Sequence, residues 1–208
     1  MEDKKLVITI ARSYGSGGLT LAKKLGIELG LPVYDREILR RASDQSGISE
    51  ELFGEVDECV KKIFMSSKGK YKGIPLTPEN SAFTSNDNLF EIQADVIKKI
   101  ANTESCIFVG RCADYILKDR PYVLSLYFYA SEADCLERLR KQVFGTDEEL
   151  LKRMHEIDKH RSDYYRYYTG KDWNDARNYD FCLDTGVMDY DKLIEVVKSY
   201  IEIKNRDM

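Results

Sequence analysis

The stretch Leu6-Val7-Ile8-Thr9-Ile10-Ala11-Arg12-Ser13-Tyr14-Gly15-Ser16-Gly17-Gly18-Leu19-Thr20 decides the fold. Its first six residues form a continuous apolar, β-branched run, as expected of a strand buried on both faces of a parallel sheet. Gly15, Gly17 and Gly18 then allow sharp or positive-φ turns. From Leu19 the period becomes helical: Leu21, Ala22, Leu25 and Leu29 fall on one face, and Gly30 supplies a stop. Pro32-Val33-Tyr34-Asp35 reads as a second short strand. Strand, glycine turn, helix and strand open an α/β fold.

Working outward, residues 36–43 are expected to be helical, and residues 88–101 again through Ile92, Val96, Ile97 and Ile100. Residues 105–110 and 123–129 read as further buried strands, and 179–184 as the last one. Ser131 and Asp134 approximate a capping box for the helix that follows. Two more helices are expected near 147–168 and 190–203. Residues 44–90 lack a strong period. With turn-forming stretches at 66–70 and 73–78, they read as a substrate-binding insertion or a mobile loop.

The 208 residues, 43% hydrophobic and 33% charged, are enough for one packed domain and exclude wholesale disorder. A net charge of −4, from 32 basic and 36 acidic side chains, argues against coating nucleic acid through bulk positive charge. Cys59, Cys106, Cys112, Cys135 and Cys182 are odd in number and scattered, without a C-x-x-C pair. A zinc site or disulfide framework is not expected, and a reducing cytoplasm fits better. The run at residues 6–11 is too short to span a membrane, and no signal-peptide cleavage pattern accompanies it. His155 and His160 lie five apart, off the i, i+4 spacing of a helical zinc pair, so no metal ligands are assigned.

The glycine turn carries the sharpest chemical signal. A phosphate is held by converging backbone N–H groups in front of a helix N-terminus, and glycines let the backbone come close. The bland alternative is an ordinary turn between strand and helix. The turn departs from G-x-x-x-x-G-K-[ST]: aligning Gly17 on the second motif glycine puts Arg12 at the first, Gly18 at the lysine and Leu19 at the Ser/Thr. The metal-orienting hydroxyl then falls to Thr20, Ser13 or Ser16. Arg12 either reaches back and restores the missing positive charge as a bidentate fork, or pairs with Asp35 or Asp184 at the strand ends.

Five blocks of residues, 12–18, 34–38, 110–116, 158–169 and 173–185, resemble the cytidylate kinase-like family of bacterial proteins. Among them are Gly110-Arg-Cys-Ala-Asp-Tyr-Ile116 and Asp158-Lys-His-Arg-Ser-Asp-Tyr-Tyr-Arg-Tyr-Tyr-Thr169, and together they span nearly the whole chain. The resemblance implies a three-layer α/β fold of the P-loop NTPase type, with a parallel sheet core, a monophosphate-binding insertion and a helical lid. The core falls at about 1–43, 88–140 and 178–208, the insertion at about 44–87 and the lid at about 141–177. It also implies that Gly15, Ser16, Gly17, Gly18 and Thr20 bind ATP phosphates with Mg²⁺, and that Arg111 contacts the acceptor phosphate. Arg161 matches a lid arginine, and Asp35 lies where the family has an aspartate near the reacting phosphates.

Each role has a bland counterpart. Asp35 makes a good helix N-cap, Arg111 can pair with Asp114 or Asp35, and Lys152, Arg153 and Lys159 read as a solvated helix face. Tyr164, Tyr165, Tyr167 and Tyr168 form an aromatic run; core packing is the preferred reading for Tyr164 and Tyr168. Cys112, next to Arg111, reads as a buried thiol. The expected activity is ATP-dependent phosphoryl transfer to a small nucleotide such as CMP or dCMP, with catalytic Arg12, Asp35, Arg111 and Arg161. No general base is needed if the acceptor is already a phosphate anion. A non-catalytic phosphate-binding regulatory module is the alternative, because Gly18 stands at the lysine position. A kinase for a small alcohol is a third, and would need Asp35 as base.

Overall fold

The computed structural model describes residues 5–56 and 69–206. Cys59 and the 66–68 portion of one expected turn lie outside these residues. Five strands, β1 (Val7–Arg12), β2 (Val33–Tyr34), β3 (Cys106–Val109), β4 (Val123–Tyr129) and β5 (Phe181–Asp184), form one sheet in the order β2-β3-β1-β4-β5. All pairings are parallel, and β1 sits at the centre, with Ile8 opposite Ile107 on one side and Leu124 on the other. Helices cover both faces, giving the three-layer P-loop architecture.

Strand alternation decides which helices cover which face. Ile8, Ile10, Ile107, Val109, Leu124 and Leu126 point to the side covered by α1 (Gly18–Leu29) and α8 (Tyr190–Arg206). Val7, Cys106, Phe108 and Val123 point to the other side. There they meet α2 (Glu37–Ser46), α3 (Glu50–Val56), α4 (Asn86–Thr103), α5 (Ala113–Ile116) and the second half of α7 (Asp147–Thr169). Thr9 and Ser125 are buried on that second side, and the Thr9 hydroxyl donates to Ser125 Oγ at 3.0 Å. Among the described residues, no helix is long and apolar enough to cross a membrane.

Helix boundaries follow local chemistry. Gly30 ends α1 at φ 65, and Gly47 ends α2 at φ 74, three residues beyond the expected stop. Ser131 caps α6 (Glu132–Arg140) by accepting from the Asp134 amide at 3.1 Å. Thr146 and Glu149 make a reciprocal capping box that starts α7. That 23-residue helix packs its first half on α6 through Leu150 and Met154. Its second half packs on α4, where Tyr168 stacks on Phe90 with ring centroids 3.7 Å apart.

Of the stretch that shows no period in the sequence, residues 48–56 join the apolar core through Ile48, Phe53 and Val56, and the segment before α4 is held by polar contacts. Glu91 accepts the amides of Lys72 and Gly73, the latter at 2.8 Å. Asn88 accepts the Leu76 amide at 2.6 Å and donates to the Phe83 carbonyl at 2.7 Å. Both side chains lie on α4 and are buried.

Gly26 tests the α1 contact. In an exposed helix, Gly→Ala adds about 1 kcal/mol of stability. Here a Cβ would run into Val33 Cγ2 and lie 2.9 Å from the Leu31 carbonyl oxygen. Gly26→Ala is therefore expected to reverse the sign and cost about 1–3 kcal/mol in denaturant melts.

Candidate active site

The turn after β1 keeps its acceptors inside and leaves amides outside. Gly15 and Gly17 take φ 79 and 76, and Gly17 is the N-cap of α1. The Ser16 carbonyl accepts from the Thr185 hydroxyl at 2.6 Å and from Arg138 Nη1 at 3.0 Å. The Ser16 hydroxyl donates to the Ser13 carbonyl at 2.8 Å and accepts the Gly18 amide at 3.3 Å. The Ser13 amide donates to the Phe128 carbonyl, and the Tyr14 amide to Asp158 Oδ1 at 2.8 Å. The amides of Gly15, Gly17, Leu19 and Thr20 have no protein acceptor among the described residues. These four residues line a cleft of about 200 Å³ at the positive end of α1.

Gly18 stands where a phosphate loop carries lysine. A Cβ there would lie 2.8 Å from Arg12 Cβ and 3.2 Å from Phe128 Cβ, so the Arg12 side chain starts across that position. Arg12 Nη2 is 3.9 Å from Asp35 Oδ1. The pairing considered with Asp184 is not made: Asp184 Oδ1 accepts the Gly186 amide at 2.8 Å.

Arg111 follows β3 and is buried. Its Nη1 donates to the Asp35 carbonyl at 2.7 Å and lies 3.5 Å from Asp35 Oδ1. Arg111 and Cys112 both have φ 54, directly after Gly110 at φ 81. Two consecutive non-glycine residues in the left-handed region are a local strain that the surroundings must hold. The Asp35 carboxylate faces these arginines and does not cap α2, whose N-cap is Arg36 without a side-chain bond.

Arg161, near the middle of α7, donates to the Arg12 carbonyl at 3.1 Å and to Asp158 Oδ1 at 3.2 Å. Burial raises the Asp158 pKa, against the lowering effect of the Arg161 charge. Arg12, Asp35, Arg36, Glu50, Arg111 and Arg161 border a second cleft of about 710 Å³. Arg12, Leu19 and Arg161 line both this cleft and the one at the glycine turn. The structure thus brings eight of the nine sequence-predicted residues to two adjoining clefts; the ninth, Ser16, is buried within the turn.

Three features escape a sequence reading. Arg138 holds Ser16 and also donates to the Thr185 carbonyl at 2.6 Å; its signal is a charge on the face of Cys135 and Leu139. Arg36 borders the larger cleft immediately after Asp35. Asp158 ties the start of the glycine turn to α7. Among the described residues, no group of His, Cys, Asp and Glu side chains could hold a metal unaided. Of the three hydroxyls considered, that of Ser16 is consumed internally and that of Ser13 is buried, while Thr20 is exposed in the smaller cleft.

Behind the arginines, the buried Asp114 accepts the Tyr165 hydroxyl at 2.6 Å, and burial pushes its pKa up to about 6. The folded carboxyl keeps its proton to about pH 6, whereas the unfolded chain releases it near 3.8. Between those values the unfolded state binds fewer protons, so stability falls as pH rises. Asp114→Asn removes this effect. Its melting temperature is expected to gain on that of the parent protein between about pH 4 and about pH 7, as followed by thermal melts.

The sequence model of the Cytidylate kinase-like family matches residues 7–187. A cytidylate kinase of Methanothrix thermoacetophila is 26% identical over 185 residues, covering 88% of this chain and 91% of that protein. An uncharacterized protein from Eubacterium ventriosum has a similar structure, with TM-score 0.69 and 27% identity over 95% of this chain and 99% of that one. A shikimate kinase from Bacteroides thetaiotaomicron shares the fold at TM-score 0.55 and 14% identity, covering 95% and 98%. With the match running from the first strand past the last, the chain belongs to the cytidylate kinase-like family.

Proposed function

We propose that the protein is an ATP-dependent phosphotransferase acting on a nucleoside monophosphate, with CMP or dCMP as the acceptors its family resemblance favours. One observation carries the reading: two clefts of different chemistry meet at Arg12, Leu19 and Arg161. Backbone amides line the smaller cleft, which suits a triphosphate tail. Guanidinium groups border the larger one, which suits a dianionic acceptor. A phosphoryl group passing between them crosses the shared wall.

The residues then divide the work. The amides of Gly15, Gly17, Leu19 and Thr20 hold the donor phosphates, while the Ser16 hydroxyl and carbonyl keep the turn in shape. Arg111 grips the acceptor phosphate, and Arg12 and Arg161 neutralise the charge spread over the group in flight. Positioning and charge supply most of the catalysis in such transfers. Mg²⁺, when bound, would neutralise charge on the donor phosphates; the Thr20 hydroxyl and the Asp35 carboxylate would be the groups to hold it, directly or through water. Asp35 has a second task, holding Arg12 and Arg111 at one carboxylate. Residues 44–87 serve as acceptor-binding insertion, a reading supported by α3 bordering the larger cleft through Glu50, Glu51 and Gly54. Residues 141–177 serve as the lid. Cys106, Cys135 and Cys182 carry free thiols, in keeping with a cytoplasmic enzyme.

Coupled-assay turnover with Mg-ATP across CMP, dCMP and UMP tests the proposal. Arg12→Ala is expected to lower kcat by about 10²–10³-fold. Arg111→Ala is expected to raise the acceptor KM by about 10–100-fold, the range of a lost charge-assisted contact. ATP binding without turnover on any of the phosphorylated acceptors would instead identify a non-catalytic phosphate-binding module.

A further inference from the structure

Arg111 and Arg161 reach the cleft from unrelated elements, the turn after β3 and the middle of α7. Behind each stands one member of a buried pair. Asp114 lies in the first turn of α5, three residues after Arg111. Tyr165 lies one helical turn beyond Arg161 on the same face of α7. The Tyr165 hydroxyl donates to Asp114 Oδ2 at 2.6 Å, and both side chains are buried. A recess of about 20 Å³ is bordered by Arg12, Arg111, Asp114, Arg161, Tyr164 and Tyr165, so the pair and the three arginines line one shared space. Neither member borders the larger cleft.

We propose that the Tyr165–Asp114 hydrogen bond is a positioning strut that fixes the separation of Arg111 and Arg161. Phosphate affinity then depends on two residues that touch no ligand. The inference rests on the reading of the larger cleft as a phosphate site.

Two features argue against mere satisfaction of buried polar groups. An apolar pair of similar volume would fill this place without desolvating an acid, and such replacements are commonly neutral or stabilising. The fold nevertheless keeps the acid at a helix start that follows two strained residues, Arg111 and Cys112. Asp114 follows Cys112 by two residues, so a carboxylate held by Tyr165 restrains the left-handed turn that aims Arg111. Tyr165 joins that turn to the helix carrying Arg161. The chain thereby sets a distance across the cleft that neither element sets alone.

Calorimetric titration of the full chain with inorganic pyrophosphate tests the strut without knowledge of the acceptor. Tyr165→Phe keeps the ring and is expected to weaken binding about tenfold, as befits a lost buried hydrogen bond to a charged group. Tyr168→Phe is the control: it removes the hydroxyl of an equally buried α7 tyrosine, donated to the Asn86 carbonyl away from the arginines. Its affinity is expected to stay close to that of the parent. Asp114→Ala should match Tyr165→Phe, while Asp114→Asn, which keeps an acceptor for the hydroxyl, should retain most of the binding. Unchanged affinity in Tyr165→Phe and Asp114→Ala, with binding lost in Arg111→Ala, overturns the strut and leaves the phosphate site standing. Equal losses in Tyr165→Phe and Tyr168→Phe also overturn it, as general loosening of α7. No pyrophosphate binding by the parent protein overturns the site and the strut together.

Discussion

Like charge held at close quarters is the constraint around which the rest is arranged. Arg12, Arg111 and Arg161 converge on one cleft, and in a medium less polar than water their repulsion is felt. Asp35 offsets part of it, standing 3.9 Å from Arg12 and 3.5 Å from Arg111. Asp158 does the same for Arg161. Backbone carbonyls complete the arrangement: Arg111 donates to the carbonyl of Asp35 and Arg161 to that of Arg12. Arg111, after β3, is therefore anchored just past the end of β2, and Arg161, from a helix, at the end of β1. The same bonds that hold the charges apart tie the ends of β1, β2 and β3 to α7.

The glycine turn solves the complementary problem. An anion site made of backbone must present amides and hide carbonyls, although every peptide unit carries both. The Ser16 carbonyl is the critical one, and the fold covers it twice, with the Thr185 hydroxyl from the end of β5 and with Arg138 from α6. Arg138 also binds Thr185, so the three form a closed triangle. The far edge of the sheet thereby helps to shape a turn that belongs to its central strand.

The sheet and the turn are legible in the sequence because apolar alternation, glycine and parallel topology are local signals. Residues 6–11 and 123–129 declare themselves as strands, and the carboxyl ends of such strands are where ligands bind. Arg12, Asp35 and Arg111 each lie at a strand's last residue or within two residues of it, although the roles expected of Asp35 and Arg111 come from the family resemblance. The connections among them are not legible, because they depend on register between distant segments. Arg138 and Asp158 look like surface charges until the helix faces are known. On α7, residues 150, 154, 158, 161, 165 and 168 follow a continuous inward stripe in which only Asp158 and Arg161 are charged. Two charges inside an apolar stripe are the available signal. The start of α4 offers a contrast: Asn88 and Glu91 bind irregular backbone, and such contacts leave no period to read.

The missing lysine and the arginine at position 12 belong to one substitution of geometry. A lysine at position 18 would begin on α1 and extend over the turn. Arg12 begins instead at the end of β1, behind the turn, and its Cβ already occupies the ground that a side chain at position 18 would need. Gly18 does not take a positive φ, unlike Gly15 and Gly17. Its want of a side chain is therefore steric. The guanidinium that takes this route arrives beside Asp35 and on the wall common to both clefts, where a lysine on the helix would face the donor side first. In the proposed reaction the charge thus sits at the point of transfer. Glycine at position 18 leaves room for the side chain at position 12, here an arginine, and the departure from the familiar motif is consistent with a site that moves phosphate.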